Sequence, residues 1–256
     1  QLNKTINLLI KQNYKVILDY ANENCKSPVD NYNKIKNLIY NYPNNFIAIK
    51  LSALNIKHDK IGATNKCFDL CEKAIDNNSK ILIDAEDFII QDDINSISNN
   101  LVRYFNKDKV NIYKTYQMYR KDTFDILKND LDLKRDHFCG VKLVRGAYYN
   151  QDFKHDILFD KIKDTHHNYD RAINYFCNHS DYSDKLIIAS HNKKSVELGL
   201  GKNHSNIEYS QLMGMSDELS NFIIRNNGVV YKYLPYGNIT DTLPYLIRRL
   251  YENPYM

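Results

Sequence analysis

The sequence predicts a (β/α)8 (TIM-like) barrel in the α/β class. Short β-rich runs alternate with amphipathic helical patterns, the alternation repeats through eight strands, and 256 residues suit one such domain. A doubly wound open sheet is the runner-up, but no Gly-x-Gly-x-x-Gly follows the first strand, where that fold carries its dinucleotide fingerprint. No Gly- or Pro-rich linker divides the chain, so residues 1–256 read as a single domain.

The predicted strands are Lys15–Asp19, Phe46–Lys50, Ile81–Ala85, Val110–Tyr113, Cys139–Val144, Leu186–Ser190, Ile207–Tyr209 and Val229–Tyr233. Several are continuous apolar runs, as expected of strands covered on both faces. Helical patterns lie between them, marked first by Ile35, Leu38 and Ile39, then by Phe68, Cys71, Ala74 and Ile75. Ile94, Ile97, Leu101 and Phe105 follow, then Phe124, Leu127 and Leu131. Ile162, Tyr169, Ile173 and Phe176 mark a long helix, Val196 and Leu200 a weaker one, and Leu219, Phe222 and Ile223 a clear one. Asn24–Asn33 and Asn150–Asp160 read as irregular connections. The last helix runs Tyr245–Asn253, with Leu243, Leu246, Ile247 and Leu250 in one stripe.

A net charge of +4, with lysines scattered through Asn-rich segments, gives nucleic-acid binding no support. The apolar runs are strand-sized, and none approaches a membrane span. Peripheral attachment to a membrane stays open. Five cysteines, Cys25, Cys67, Cys71, Cys139 and Cys177, are odd in number and lack paired ligand spacing, so reduced thiols and no metal are expected. The chain opens on Gln1 without a visible signal or transit segment. A mature form or a shortened piece is therefore expected, its address hidden in what precedes it.

Chemistry in such a barrel sits at the carboxyl ends of the strands. Asp19 ends the first with Glu23 close behind, Lys50 ends the second, and the third closes as Asp84-Ala-Glu-Asp87. The remaining ends carry Lys114-Thr-Tyr-Gln117, Lys142-Leu-Val-Arg-Gly-Ala-Tyr148, Ser190-His-Asn192, Ser210-Gln-Leu-Met-Gly-Met-Ser-Asp217 and Tyr231-Lys-Tyr-Leu-Pro-Tyr-Gly237. On the last helix, Arg248 and Arg249 lie opposite the apolar stripe, with Glu252 one turn away to brace both. Adjacent guanidinium groups held by a carboxylate suit a small carboxylic acid. On these residues alone, an ordinary solvated ion-pair face explains the helix as well.

Together, Asp84-Ala-Glu86, Thr115-Tyr-Gln117, Lys142–Tyr148, Ser190-His-Asn192, Gln211–Asp217, Tyr231–Gly237 and Tyr245–Asn253 resemble the proline dehydrogenase (proline oxidase) family, nearest its eukaryotic mitochondrial branch. The resemblance runs in order from about Val16 to the end of the chain. It implies an FAD-binding (βα)8 barrel that oxidises L-proline to Δ1-pyrroline-5-carboxylate by hydride transfer to flavin N5, with electrons passed to a quinone. It also implies a mitochondrial location, and a longer parent protein whose N-terminal region is absent here.

The same resemblance assigns roles. Lys142 matches the cation lying against the flavin, and Asp84 the strand-end carboxylate that orients Tyr233 or Lys50 rather than abstracting a proton. Lys50, Arg248 and Arg249 match the grip on the proline carboxylate, while Leu212 and Tyr233 match packing against its ring. Ala85, Gln117, Val144, Gly146, Ala147 and Tyr148 match flavin and ribityl contacts, with Gly146 admitting a close backbone approach. Ser190, His191 and Asn192 match the adenosine segment, though an unmatched His would read as a satisfied core residue. Glu252 either reaches the cofactor or braces the arginines, and Glu23 matches the gate partner of Arg248. The segment after Tyr148, Tyr-Asn-Gln-Asp, departs from the eukaryotic branch, which often places an acidic residue nearby. Hydroxyproline oxidation and a non-catalytic flavin- or imino-acid-binding barrel are the alternatives. Tyr233 favours proline, because hydroxyproline dehydrogenases tend to carry Ser there. Oligomeric state is not legible.

Overall fold

The computed structural model describes residues 2–22, 27–237, 242–243 and 246–247. Its parallel strands β1 Lys15–Tyr20, β2 Phe46–Ile49, β3 Lys80–Ile83, β4 Ile112–Gln117, β5 Gly140–Val144, β6 Lys185–Ala189, β7 Ile207–Leu212 and β8 Val230–Tyr236 close into a barrel in sequence order. Closure is made by β1 on β8, with Ile17 opposite Tyr233 and Asp19 opposite Pro235. Outside lie α1 Leu2–Lys11, α2 Pro28–Asn41, α3 Lys60–Asp76, α4 Phe88–Phe105, α5 Thr123–Asp132, α6 Tyr149–Asp152, α7 Ile162–His179, α8 Lys193–Gly201 and α9 Asp217–Arg225.

Because side chains alternate across a strand, each strand feeds two cores. One lies between strands and helices, built from residues such as Leu18, Ile47, Ile81, Leu143 and Ile188 with helical partners including Ile39, Leu70, Leu101 and Phe176. The other fills the barrel itself, with Ile17, Phe46, Ala48, Leu82, Tyr113, Ile187, Tyr231 and Tyr233. At its amino-terminal end the Phe46 ring meets Tyr113 and Tyr231 edge-on, with centroids 5.0 and 4.9 Å away. Aromatic edges packed on faces fill that end of the barrel, and open space is left to the carboxyl end.

Several boundaries differ from the sequence reading. β4 runs four residues, and β7 and β8 three, further toward the carboxyl end than the predicted runs. In β4 the extension is polar because Lys114 is held outside the barrel by Asp130 at 2.7 Å and Asn99 at 2.8 Å, while Tyr116 donates to Asp130 at 2.8 Å. The region read as irregular from Asn24 already enters α2 at Pro28, where Ser27 Oγ accepts from the Asp30 N–H at 3.3 Å and the proline begins the helix. The second region read as irregular contains α6 and a 3-10 turn, Phe153–His155. α1, held by Ile6 and Leu9, was not expected at all. Of the predicted last helix, Leu243 and Ile247 are exposed, and both arginines lie outside the described residues.

One ion pair fixes the entry to β5. Asp184, fully buried, accepts from the Cys139 N–H at 2.6 Å and from the fork of Arg135 at 2.9 and 2.6 Å. Removing one partner of such a pair strands the other's charge in a dry site. Asp184→Ala should therefore cost about 3–5 kcal/mol of stability, measured by urea denaturation; a loss below about 1 kcal/mol would show that the pair is dispensable.

Candidate active site

The inward positions at the strand ends converge on one cavity of ≈ 180 Å³, lined by Lys50, Asp84, Lys142 and Tyr233 among others. Lys50 follows Phe46 and Ala48 on the inward side of β2, as Asp84 follows Leu82 at β3 and Tyr233 follows Tyr231 on β8. Lys142 Nζ donates to Asp84 Oδ1 at 2.7 Å, and the Tyr233 hydroxyl donates to Asp84 Oδ2 at 2.6 Å. Lys50 Nζ lies 2.6 Å from Asp19 Oδ1, 3.4 Å from Asp84 Oδ2 and 3.3 Å from the Tyr233 hydroxyl. Asp19, Lys50, Asp84 and Lys142 thus alternate in sign, and all are buried. Each ion would cost several kcal/mol to bury alone, and the alternation offsets that cost.

The electrostatics split the two carboxylates. Burial pushes Asp84 up, but the ammonium groups of Lys142 and then Lys50 outweigh it and hold the carboxyl well below its ordinary range. Asp19 is raised by burial, which the single ammonium of Lys50 only partly counters, and the charge of Asp84 adds to the rise. Asp84 is therefore an anchor saturated with donors, poorly suited to taking a proton.

The other predicted residues that the structure describes fall on the same wall or beside it. Ala85, Gln117, Val144, Gly146, Ala147, Tyr148, Ser190, His191 and Leu212 line the cavity. Asn192 caps α8 instead, its Oδ1 accepting from the Ser195 N–H at 3.2 Å. His191 Nε2 accepts from the Leu212 N–H at 3.0 Å, and burial, aided by Lys232, lowers its pKa to about 4, so the ring is neutral at physiological pH. At Gly146 the protein itself already requires glycine. Its φ is +140°, and an added Cβ would come within 2.4 Å of the Tyr119 ring. Glu23, Arg248, Arg249 and Glu252 lie outside the described residues.

The sequence reading gave no role to several groups on this wall. Asp19 anchors Lys50, and its inward parity with Ile17 was the available signal. Arg145, inside a quoted motif, is buried at the cavity with Nη1 donating to Ser190 Oγ at 2.7 Å, Nη2 to Ser195 Oγ at 2.9 Å and Nε to His166 Nδ1 at 2.9 Å. Thr115, Ser210, Gln211 and Met215 also line it.

The donor set suits a flavin. Gln117 Oε1 and Thr115 Oγ1 are buried at the cavity without a hydrogen-bond partner from the protein, leaving polar positions for a ring edge to satisfy. Ala85, Val144, Ala147, Ala189 and Leu212 provide apolar wall, and Arg145 adds a cation whose direct side-chain partners are neutral. Among the described residues, no group of three or more His, Cys, Asp or Glu is placed to hold a metal ion. No helix there is long and apolar enough to cross a membrane.

Comparison with known proteins agrees with this geometry. The family model described as "Proline dehydrogenase" matches residues 2–255. Proline dehydrogenase 1, mitochondrial, of Dictyostelium discoideum is 34% identical over 227 residues, which cover 79% of this chain and 39% of that protein. Hydroxyproline dehydrogenase of Xenopus laevis is also 34% identical, over 204 residues covering 72% of this chain and 44% of that protein. The chain thus spans less than half the length of these curated relatives. In fold, proline utilization A from Bdellovibrio bacteriovorus superposes with a TM-score of 0.88 over 98% of this chain and 31% of that one, at 18% identity. With the barrel, the charged mouth and the family match in agreement, the chain belongs to the proline dehydrogenase family.

Proposed function

We propose that the chain oxidises L-proline to Δ1-pyrroline-5-carboxylate with FAD, electrons passing onward to a quinone. The supporting observation is the buried cluster of Asp84, Lys142, Tyr233 and Lys50 at the open end of the barrel, beside the unpartnered Gln117 and Thr115 oxygens. FAD, when bound, supplies the hydride acceptor for the substrate carbon next to nitrogen. Ala85, Gln117, Val144, Ala147, Tyr148, Ser190 and His191 would hold it, from the wall they already form. Asn192 would contribute from the wall's edge, Gly146 by keeping the loop against Tyr119, and Glu252 on the family resemblance alone.

The protein's part is placement and charge. Lys142, fixed by Asp84, keeps a cation at the cavity wall, where it stabilises negative charge delivered there. Lys50, Arg248 and Arg249 grip the substrate carboxylate, each charge-assisted bond contributing about 1.5–3 kcal/mol. Asp19 holds Lys50 ready for that contact. Leu212 and Tyr233 would bound the substrate ring from the cavity wall, and on the family resemblance Glu23 would pair with Arg248 to close the site. Asp84 orients Lys142, Lys50 and Tyr233 and takes no proton.

The names of relatives support a mitochondrial location, and delivery of electrons to a quinone would call for peripheral contact with a membrane. Hydroxyproline is the second reading, because a hydroxyproline dehydrogenase matches at the same identity as the proline enzyme. The bulk of Tyr233 at the cavity wall, its phenol tied to Asp84, is what favours proline over hydroxyproline.

Purified protein reconstituted with FAD should be yellow and should bleach on adding L-proline under argon. Flavin that binds but ignores proline would sink the substrate assignment, and failure to bind FAD would favour a non-catalytic barrel. Arg249→Met should raise KM for proline by about tenfold or more with little change in flavin content; flavin loss with unchanged proline affinity would move Arg249 to the cofactor. Tyr233→Ser should shift the ratio of flavin reduction rates toward 4-hydroxyproline, and an unchanged ratio would remove the basis for choosing proline.

A further inference from the structure

Asp152 is a buried acid in an exposed stretch. Asn150, Gln151 and Phe153 around it are exposed, whereas Asp152 itself is 0% exposed. Both carboxylate oxygens are used. Oδ1 accepts from the Phe88 N–H at 2.8 Å, at the start of α4, and Oδ2 accepts from the Tyr119 hydroxyl at 2.6 Å. Its own N–H donates to Tyr148 O at 2.9 Å. One side chain therefore ties together the connections that follow β3, β4 and β5.

Tyr119 carries this anchorage to the cavity wall. Its backbone N–H donates to Arg145 O at 2.7 Å, and the preceding Met118 N–H donates to Val144 O at 2.8 Å. The Tyr119 ring lies flat against Gly146, where a Cβ would sit 2.4–2.5 Å from three ring carbons. The Tyr148 backbone hydrogen-bonds to the Tyr119 side chain. Val144, Gly146, Ala147 and Tyr148 all line the cavity, as does Ala85, three residues before Phe88. A carboxylate at this point sets the height of the loop after β5 relative to the wall after β3.

We infer that Asp152 is a positioning residue for the cofactor, fixing the Val144–Tyr148 loop through Tyr119 and the α4 N-terminus. The inference rests on the FAD reading above. Asn at position 152 offers one acceptor where two donors converge, so either Phe88 N–H or the Tyr119 hydroxyl loses its partner in a buried site. Tyr119→Phe removes the hydroxyl alone and keeps the ring on Gly146.

The test is FAD binding to the full 256-residue chain, measured by fluorescence titration, alongside the Tm of each FAD-free protein. Asp152→Asn and Tyr119→Phe should each raise the Kd for FAD about tenfold. The double variant should be no worse than the weaker single, because the two changes break one linkage. The visible band of bound flavin should shift in the same variants. An unchanged Kd in both, or effects that multiply in the double variant, would overturn the inference while leaving the FAD reading intact. If Asp152→Asn does not fold, Tyr119→Phe decides alone: a severalfold rise in Kd supports the inference and no rise overturns it. An unaltered chain that takes up no FAD would overturn the functional reading, and this inference with it.

Discussion

The structure of the barrel mouth depends on the acceptance of three donors by Asp84. Lys142 and Tyr233 occupy its two oxygens and Lys50 stands 3.4 Å from one of them. Without that carboxylate, two ammonium groups would face each other in a buried site with only Asp19 to balance them. With it, the positive charges are fixed in place before any ligand arrives. Such preorganisation gives the cations their value, because little reorganisation is needed when negative charge enters. The same saturation keeps Asp84 ionised and removes it from proton transfer.

Much of this was legible in the sequence, for reasons specific to the barrel. Continuous apolar runs announced strands buried on both faces, and the polar residues ending each run announced the mouth. Lys50, Asp84, Lys142 and Tyr233 were therefore visible as strand-end residues, and the structure brings all four to one cavity. The strands themselves were read too short where inward polar residues continue the pairing. Thr115 and Gln117 in β4 and Ser210 in β7 break the apolar pattern, yet they sit in regular register with Lys142, Val144 and Tyr231.

What the sequence left dark depends on closure. Asp19 becomes the partner of Lys50 only when β1 and β2 lie side by side, and its significance follows from being sealed from water. Arg145 sat inside a recognised motif without a role, because its partners Ser190, Ser195 and His166 come from β6, α8 and α7 segments brought together in space. Asp152 ends the Tyr-Asn-Gln-Asp segment that read as a departure from the family, and it was given no role, since nothing in the order of residues marks a single aspartate as buried among exposed neighbours. At Gly146 the small size was visible, but the Tyr119 ring packed against it was not.

Among the described residues, the aromatic floor made by Phe46, Tyr113 and Tyr231 fills the amino-terminal end of the barrel and leaves the carboxyl end as the way in. A ligand reaching Lys142 from that end would come past the loops that follow the strands, and a product would leave past them. For the proposed reaction, imino acid and electron acceptor would then queue at one threshold. Turnover would run as alternating visits, product departing before the acceptor calls, with rate set as much by traffic through the rim as by chemistry beneath it.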